Sequence, residues 1–147
     1  MDKIIHLSQF LKCTPAHVFR YFSHNDLIES WLASIADVEP TQNGKYELFW
    51  DPNDKNSNST IGCKITSIEV NKFLSFEWKS PKQFELFTNN ADPLTHVVVF
   101  FIQHDSGTEL HLIHSGWRST KEWEEARQWQ IKAWQIALSN LSKRINR

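Results

Sequence analysis

Gly107-Thr108-Glu109-Leu110-His111-Leu112-Ile113-His114-Ser115-Gly116-Trp117 reads as a glycine turn into an alternating strand, with a long helical pattern close behind it. Successive side chains of a strand point to opposite faces, so Leu110, Leu112 and His114 share one side. A titratable imidazole therefore lies in line with two apolar residues. Residues 95–103 read as the preceding strand, and His104-Asp105-Ser106-Gly107 joins the two runs as a hairpin. A loop of two or four residues sets Phe101 opposite Leu110, Val99 opposite Leu112 and Val97 opposite His114, whereas a three-residue loop exchanges the faces. In the first register Val98, Phe100, Ile102 and Ile113 form an apolar row on the other side. A monomer leaves that row wet, and a homodimer is the plainest way to cover it.

From Thr120 to Arg147 the pattern is helical, with no Gly or Pro. Ser119 or Thr120 can cap the start. Glu122, Glu124 and Glu125 suit the positive end of the helix dipole, and Lys143, Arg144 and Arg147 the negative end. Trp123, Gln130, Trp134, Ala137, Leu138, Leu141 and Ile145 recur at helical spacing and define a buried stripe, from which Trp129 and Ile136 depart.

Upstream, residues 6–11 read as a strand, and Thr14-Pro15 opens a short helix through Val18, Phe19 and Phe22. Ser23-His24-Asn25-Asp26 has the spacing of a variant capping box before a second short helix through Leu27, Ile28 and Trp31. After the Asn43-Gly44 turn, Tyr46, Leu48 and Trp50 alternate with Lys45, Glu47 and Phe49 and give a strand with an aromatic inner face. Residues 51–60 contain no apolar side chain before Ile61 and read as an exposed hairpin tip without chemistry. Two strands follow, over residues 61–70 and 73–78. Residues 80–93 are irregular but carry Phe84, Leu86 and Phe87, a pattern suited to folding over an opening.

The order is strand, two short helices, about six to seven antiparallel strands and one long C-terminal helix. A curved antiparallel sheet has one face to bury, and only the last helix is long enough to cover it. The expected architecture is an α+β helix grip, with residues 1–147 forming a single domain.

Composition narrows the function classes. Lys plus Arg number 16 against 17 Asp plus Glu, so no basic field invites nucleic acid or an anionic membrane. No apolar run approaches the length of a membrane span, and Met1 to His6 lack signal-peptide features, so the chain is expected in the cytoplasm. Cys13 and Cys63 lack metal-ligand spacing and read as reduced thiols. His111 and His114 point to opposite faces, and no His-Glu-x-x-His pattern, phosphate loop or nucleophile elbow is present, so neither metal nor cofactor is expected. The outlier is aromatic: 7 Trp and 10 Phe against 4 Gly. So many large rings are hard to pack into a flat, filled interface.

Pro15-Ala16-His17-Val18-Phe19, Trp31, Asn43-Gly44-Lys45-Tyr46, Leu74 to Trp78, Gly107 to Trp117, and Ala133-Trp134 with Leu138 and Leu141 together resemble the START-like (SRPBCC) superfamily of polyketide cyclases and birch-pollen allergens. Within it the chain is similar to the branch of the activator of heat shock protein 90 ATPase, with Asn43-Gly44 standing where a Gly-Gly pair is usual. The resemblance implies a deep apolar cavity between sheet and C-terminal helix that takes a small hydrophobic or aromatic molecule. It also keeps open a cyclase- or hydrolase-type enzyme using that cavity, and a chaperone-interaction module. Trp31, Tyr46, Trp50, Trp78, Trp117 and Trp134 either line such a pocket or fill the core, and Leu48, Phe76, Val99, Phe101, Leu112 and Leu138 would complete its wall. His114 either orients a ligand or works as an acid or base near neutral pH, since an ordinary imidazole titrates at about 6.5. Otherwise it is a core histidine satisfied by its neighbours.

Overall fold

The computed structural model describes residues 3–147. Strand β1 (Lys3–Leu11) leads into α1 (Pro15–Ser23) and α2 (Asn25–Ile28); β2 (Ile35–Val38), β3 (Tyr46–Phe49), β4 (Ile65–Glu69) and β5 (Phe73–Trp78) follow. A single 3-10 turn over Lys82–Phe84 runs into α3 (Glu85–Thr88), after which β6 (Thr95–His104), β7 (Gly107–Trp117) and α4 (Lys121–Ile145) complete the chain. Strands β1-β7-β6-β5-β4 form one antiparallel sheet, and β2 and β3 form a separate pair. The architecture is the expected α+β helix grip, with its seven strands divided five and two.

That division has a local cause. Residues 59–64 meet β3 through isolated bridges, Lys45 to Lys64 and Phe49 to Ser59, and scattered hydrogen bonds such as Tyr46 N to Cys63 O at 2.8 Å, while Ile65 N donates to Gly44 O at 2.7 Å. The two sheets are thus laced together without a continuous ladder. The strand expected over residues 61–70 accordingly begins only at Ile65. Strand β2 has no counterpart in the sequence reading: four residues interrupted by Asp37 show no countable alternation, and their pairing with β3 comes from outside the segment.

The turn before β3 works because of its two residues. Asn43 takes the left-handed conformation (φ 65°), one of the few non-glycine side chains that does so readily. A Cβ on Gly44 would stand 2.2 Å from the Glu39 carbonyl oxygen, so only glycine fits there.

The hairpin of β6 and β7 adopts the two-residue loop, pairing His104 with Gly107, and places Phe101 opposite Leu110, Val99 opposite Leu112 and Val97 opposite His114. Helix α1 is capped by the Thr14 hydroxyl accepting from His17 N, with Pro15 in its first turn. Thr120 caps α4 in the same manner, accepting from Trp123 N. The capping box expected at Ser23 does not form. Ser23 Oγ donates back to Phe19 O at 2.9 Å, and His24 precedes α2 without a side-chain cap. Helix α2 also ends at Ile28, leaving Trp31 beyond it.

Helix α4 buries Trp123, Ala126, Gln130, Trp134, Leu138 and Leu141 against the concave side of the sheet. Its C-terminal cap Asn146 is tied to β1, donating from Nδ2 to Phe10 O at 3.3 Å and accepting at Oδ1 from Lys12 N, just past the strand, at 2.7 Å. On the convex side Phe100 and Ile102 stay exposed, joined by Ile4 and Phe10 of β1.

Candidate functional site

A second stripe of α4 runs beside the buried one. Trp129, Ala133, Ile136, Ala137 and Asn140 recur at helical spacing and face Trp31 and Leu32, the two ends of the 51–60 segment, and residues 78–81. Between these elements lies an open cleft of about 590 Å³, a volume within the range that holds small ligands. Trp31, Trp50, Trp78, Trp129 and Trp134 all line it, so five of the chain's seven tryptophans meet at one place.

Four of these rings are fixed through their polar edge. An indole has one donor and no acceptor, and a buried one needs a partner. Trp31 Nε1 donates to Tyr21 O and Trp50 Nε1 to Leu32 O, both at 2.8 Å; Trp78 Nε1 reaches Gln130 Oε1 at 3.4 Å; Trp134 Nε1 donates to His114 Nδ1 at 3.1 Å. What remains of these rings to meet the cleft is carbon. Trp78 packs against Trp134 with centroids 4.9 Å apart and meets Trp50 edge-on at 5.8 Å. Trp50 and Trp129 are about two-fifths exposed, at 37% and 40%, and stand at the mouth.

His114 sits behind this wall, wholly buried. Because Trp134 can only donate, His114 Nδ1 must accept, and the ring proton is left on Nε2, facing Thr95 Oγ1 at 3.0 Å. The imidazole is therefore neutral with both nitrogens engaged. Burial, with a smaller contribution from His96, holds its pKa down at about 3. It has neither a lone pair nor an acidic proton to present to the cleft. Its action is on Trp134, which it positions.

Two other groups are inert for the same reason. Burial drives the Tyr46 phenol well above its ordinary value, and its hydroxyl donates to Phe22 O at 2.8 Å. The Cys63 thiol is pushed up to about 12, chiefly by desolvation, which leaves little nucleophilic thiolate. Among the described residues, no three His, Cys, Asp or Glu side chains gather into a metal-holding group, and no helix is long and apolar enough to cross a membrane.

Of the residues singled out from sequence, Trp31, Trp50, Trp78 and Trp134 line the cleft. Tyr46, Leu48, Phe76, Val99, Phe101, Leu112, His114, Trp117 and Leu138 are buried in the core away from it. There the rings pack on one another: Tyr46 stacks on Phe76 at 3.9 Å, and Phe22 meets both Phe101 and Trp31 edge-on. Side chains occupy the place where the resemblance implies a deep cavity, and open space is displaced to one side of α4. Trp129 and Ile136 were visible only as departures from the buried stripe, yet with Ala133, Ala137 and Asn140 they repeat at helical spacing. That second period was the available signal. Asp51, Asn58 and Ser59 carried none, because a polar loop reads the same whether or not it borders a cleft.

Residues 12–146 match the family described as Activator of Hsp90 ATPase homolog 1-like protein. No curated protein gives a match. Among solved structures, a Mesorhizobium loti protein superposes with a TM-score of 0.76 at 18% identity, covering 96% of this chain and 95% of its own. The Aha1 dimer from Colwellia psychrerythraea gives 0.74 at 12% identity over 97% and 96% of the two chains. An HSP90 activator from Plasmodium falciparum gives 0.72 at 21% identity over 94% and 92%. At these identities the likeness is one of fold.

The neutral His114 makes stability depend on pH. The unfolded chain takes up a proton as pH falls through about 6.5, while the folded protein resists down to about 3. The folded state binds fewer protons across that window. The stabilisation is therefore complete above the unfolded value and is lost as pH falls, by up to about 1.4 kcal/mol per pH unit. His96, also lowered by desolvation, adds in the same direction. Urea unfolding between pH 7 and pH 4 should show this decline in the wild type and a shallower slope in His114→Asn, whose side-chain oxygen can still accept from Trp134. Equal slopes, or a His114 imidazole whose NMR signals titrate near neutral pH, would refute the assignment.

Proposed function

The chain belongs to the Activator of Hsp90 ATPase homolog 1-like family, and from that premise we propose that it binds a small hydrophobic or aromatic molecule in the tryptophan-walled cleft beside α4. The observation that carries this reading is the convergence of five tryptophans on one open volume of about 590 Å³. Binding there works by burial, since apolar surface removed from water is worth roughly 25 cal/mol per Å². Rings already held by Tyr21, Leu32, Gln130 and His114 lose little further freedom when a ligand arrives. The exposure of Trp50, Trp129 and Ile136 at the mouth has the same explanation, because a bound ligand would cover apolar surface that is otherwise wet. An acid-base enzyme built on His114 receives no support from this geometry.

A second reading concerns the convex face of the sheet. Phe10 and Ile102 both pair with Glu109, and Phe100 pairs with Phe73 and with His111, so apolar side chains of β1, β6 and β5 flank the Glu109–His111 pair of β7. A second copy of the chain is the proposed occupant, in keeping with the dimer formed by the Colwellia relative. A chaperone of the kind named in the family description is the competing one.

N-phenylnaphthylamine, a neutral ring probe that brightens in apolar sites, tests the first reading. Titration should reach one probe per chain, and Ala133→Phe, which adds a ring to the cleft wall, should weaken binding at least about tenfold with the fold retained. Failure of the wild type to bind, or undiminished binding by the variant, would contradict it. For the second reading, sedimentation equilibrium should give twice the 17.3 kDa chain mass, reverting to a single chain in Ile102→Lys. A monomer at high concentration would exclude the homodimer.

A further inference from the structure

We infer that the occupant of the cleft is an aromatic anion, a flat ring system bearing one carboxylate-like group, with Lys132 selecting its charge. This rests on the reading of the cleft as a ligand site and adds the polarity of the ligand.

A wall of tryptophans by itself fits three chemistries: neutral rings, ring-bearing anions, and cations held over π faces. The charges on the same wall separate them. Lys79, Lys132 and Asp51 are the ionic side chains lining the cleft. Asp51 is engaged locally, its Oδ1 accepting from Asn53 N at 3.0 Å, and Lys79 Nζ donates to Ile61 O at 2.7 Å. Two ammonium groups against one carboxylate disfavour a cation. Lys132 differs from Lys79 in having nothing to hold it. Its helical neighbours three and four residues away are Gln128, Trp129, Gln135 and Ile136, none of them acidic, and it takes part in none of the ion pairs formed among the described residues. An exposed ammonium on a flexible stem, next to Trp129 and one residue from Ala133, can turn over the mouth of the cleft.

Ser80 supplies the independent observation. It lines the cleft and is 98% buried by its 2% exposure, and its Oγ is the buried side-chain polar atom that lacks a partner among the described residues. Its backbone is clamped on both sides by Asn89, which accepts from Ser80 N at 2.7 Å and donates to Ser80 O at 3.0 Å. The residue is therefore fixed while its hydroxyl keeps a free rotor. Leaving a buried hydroxyl unpaired is costly, and an oxygen acceptor on a ligand would satisfy it. The four tied indoles have no N–H left to offer such an oxygen. Ser80 on the wall and Lys132 at the rim are donors left for it, beside the untied Trp129 indole.

Anilinonaphthalene sulfonate and N-phenylnaphthylamine share a ring skeleton and differ in the anionic group, so the pair isolates the charge. In the full-length protein at low salt, Lys132→Gln should weaken the sulfonate probe about fivefold and leave the neutral probe unchanged, the size expected for one exposed ion pair. Lys132→Arg should restore sulfonate binding, and added salt should weaken the sulfonate alone. If Lys132→Gln leaves the sulfonate affinity intact, or weakens both probes alike, the anion inference falls while the cleft remains a site for neutral rings. If the neutral probe does not bind at all, the reading of the cleft falls first and takes this inference with it.

Discussion

The hydrogen bond from the Trp134 indole to the neutral His114 imidazole is the contact on which the rest of the site depends. It needs a histidine that stays uncharged, because a protonated ring could not accept from an indole N–H. Burial enforces that state, and Thr95 takes the remaining ring proton. With His114 fixed from β7, Trp134 cannot turn. Trp78 packs on Trp134, Gln130 accepts the Trp78 N–H one helical turn before Trp134, and Trp50 meets Trp78 edge-on. One buried bond between sheet and helix thereby sets the inner wall of an open cleft.

The same interior explains why the space lies where it does. In a helix grip, the volume between sheet and helix is either filled or left as a cavity, and side-chain size decides which. Tyr46, Phe76, Phe22 and Phe101 are large and stack closely, so the centre is solid. Toward Ala133 and Ala137 the helix presents small side chains, and the facing elements are the ends of loops. Room opens there. The polar 51–60 segment contributes to the rim because Thr60 is anchored, accepting from Leu48 N and donating to Tyr46 O, which brings Asn58 and Ser59 back against the fold.

Much of this was legible in the sequence, and the misses have physical causes. The β6–β7 hairpin could be narrowed to two registers with opposite faces, between which the two-residue loop of the fold decides, and Thr14 and Thr120 both carried the chemistry of helix caps. Strand β2 could not be read, because four residues with a charge among them acquire strand character only from β3. Ser23 had the spacing of a cap but spent its hydroxyl on the preceding helix. Hydrophobic pattern identified Trp31, Trp50, Trp78 and Trp134 as inward-facing rings. It could not separate them from Tyr46, Phe76 or Trp117, since burial and cleft-lining have the same period. That distinction arises from which small residues lie opposite, a property of tertiary packing.

Two-dimensional NMR of the indole N–H signals, followed during titration with N-phenylnaphthylamine, tests the central claim most directly. The account predicts that the Trp50 and Trp129 signals move most, that Trp31, Trp78 and Trp134 follow, and that the backbone amides of Phe100 and Ile102 on the convex face stay still. Shifts centred on the convex face, with the cleft indoles unmoved, would contradict it.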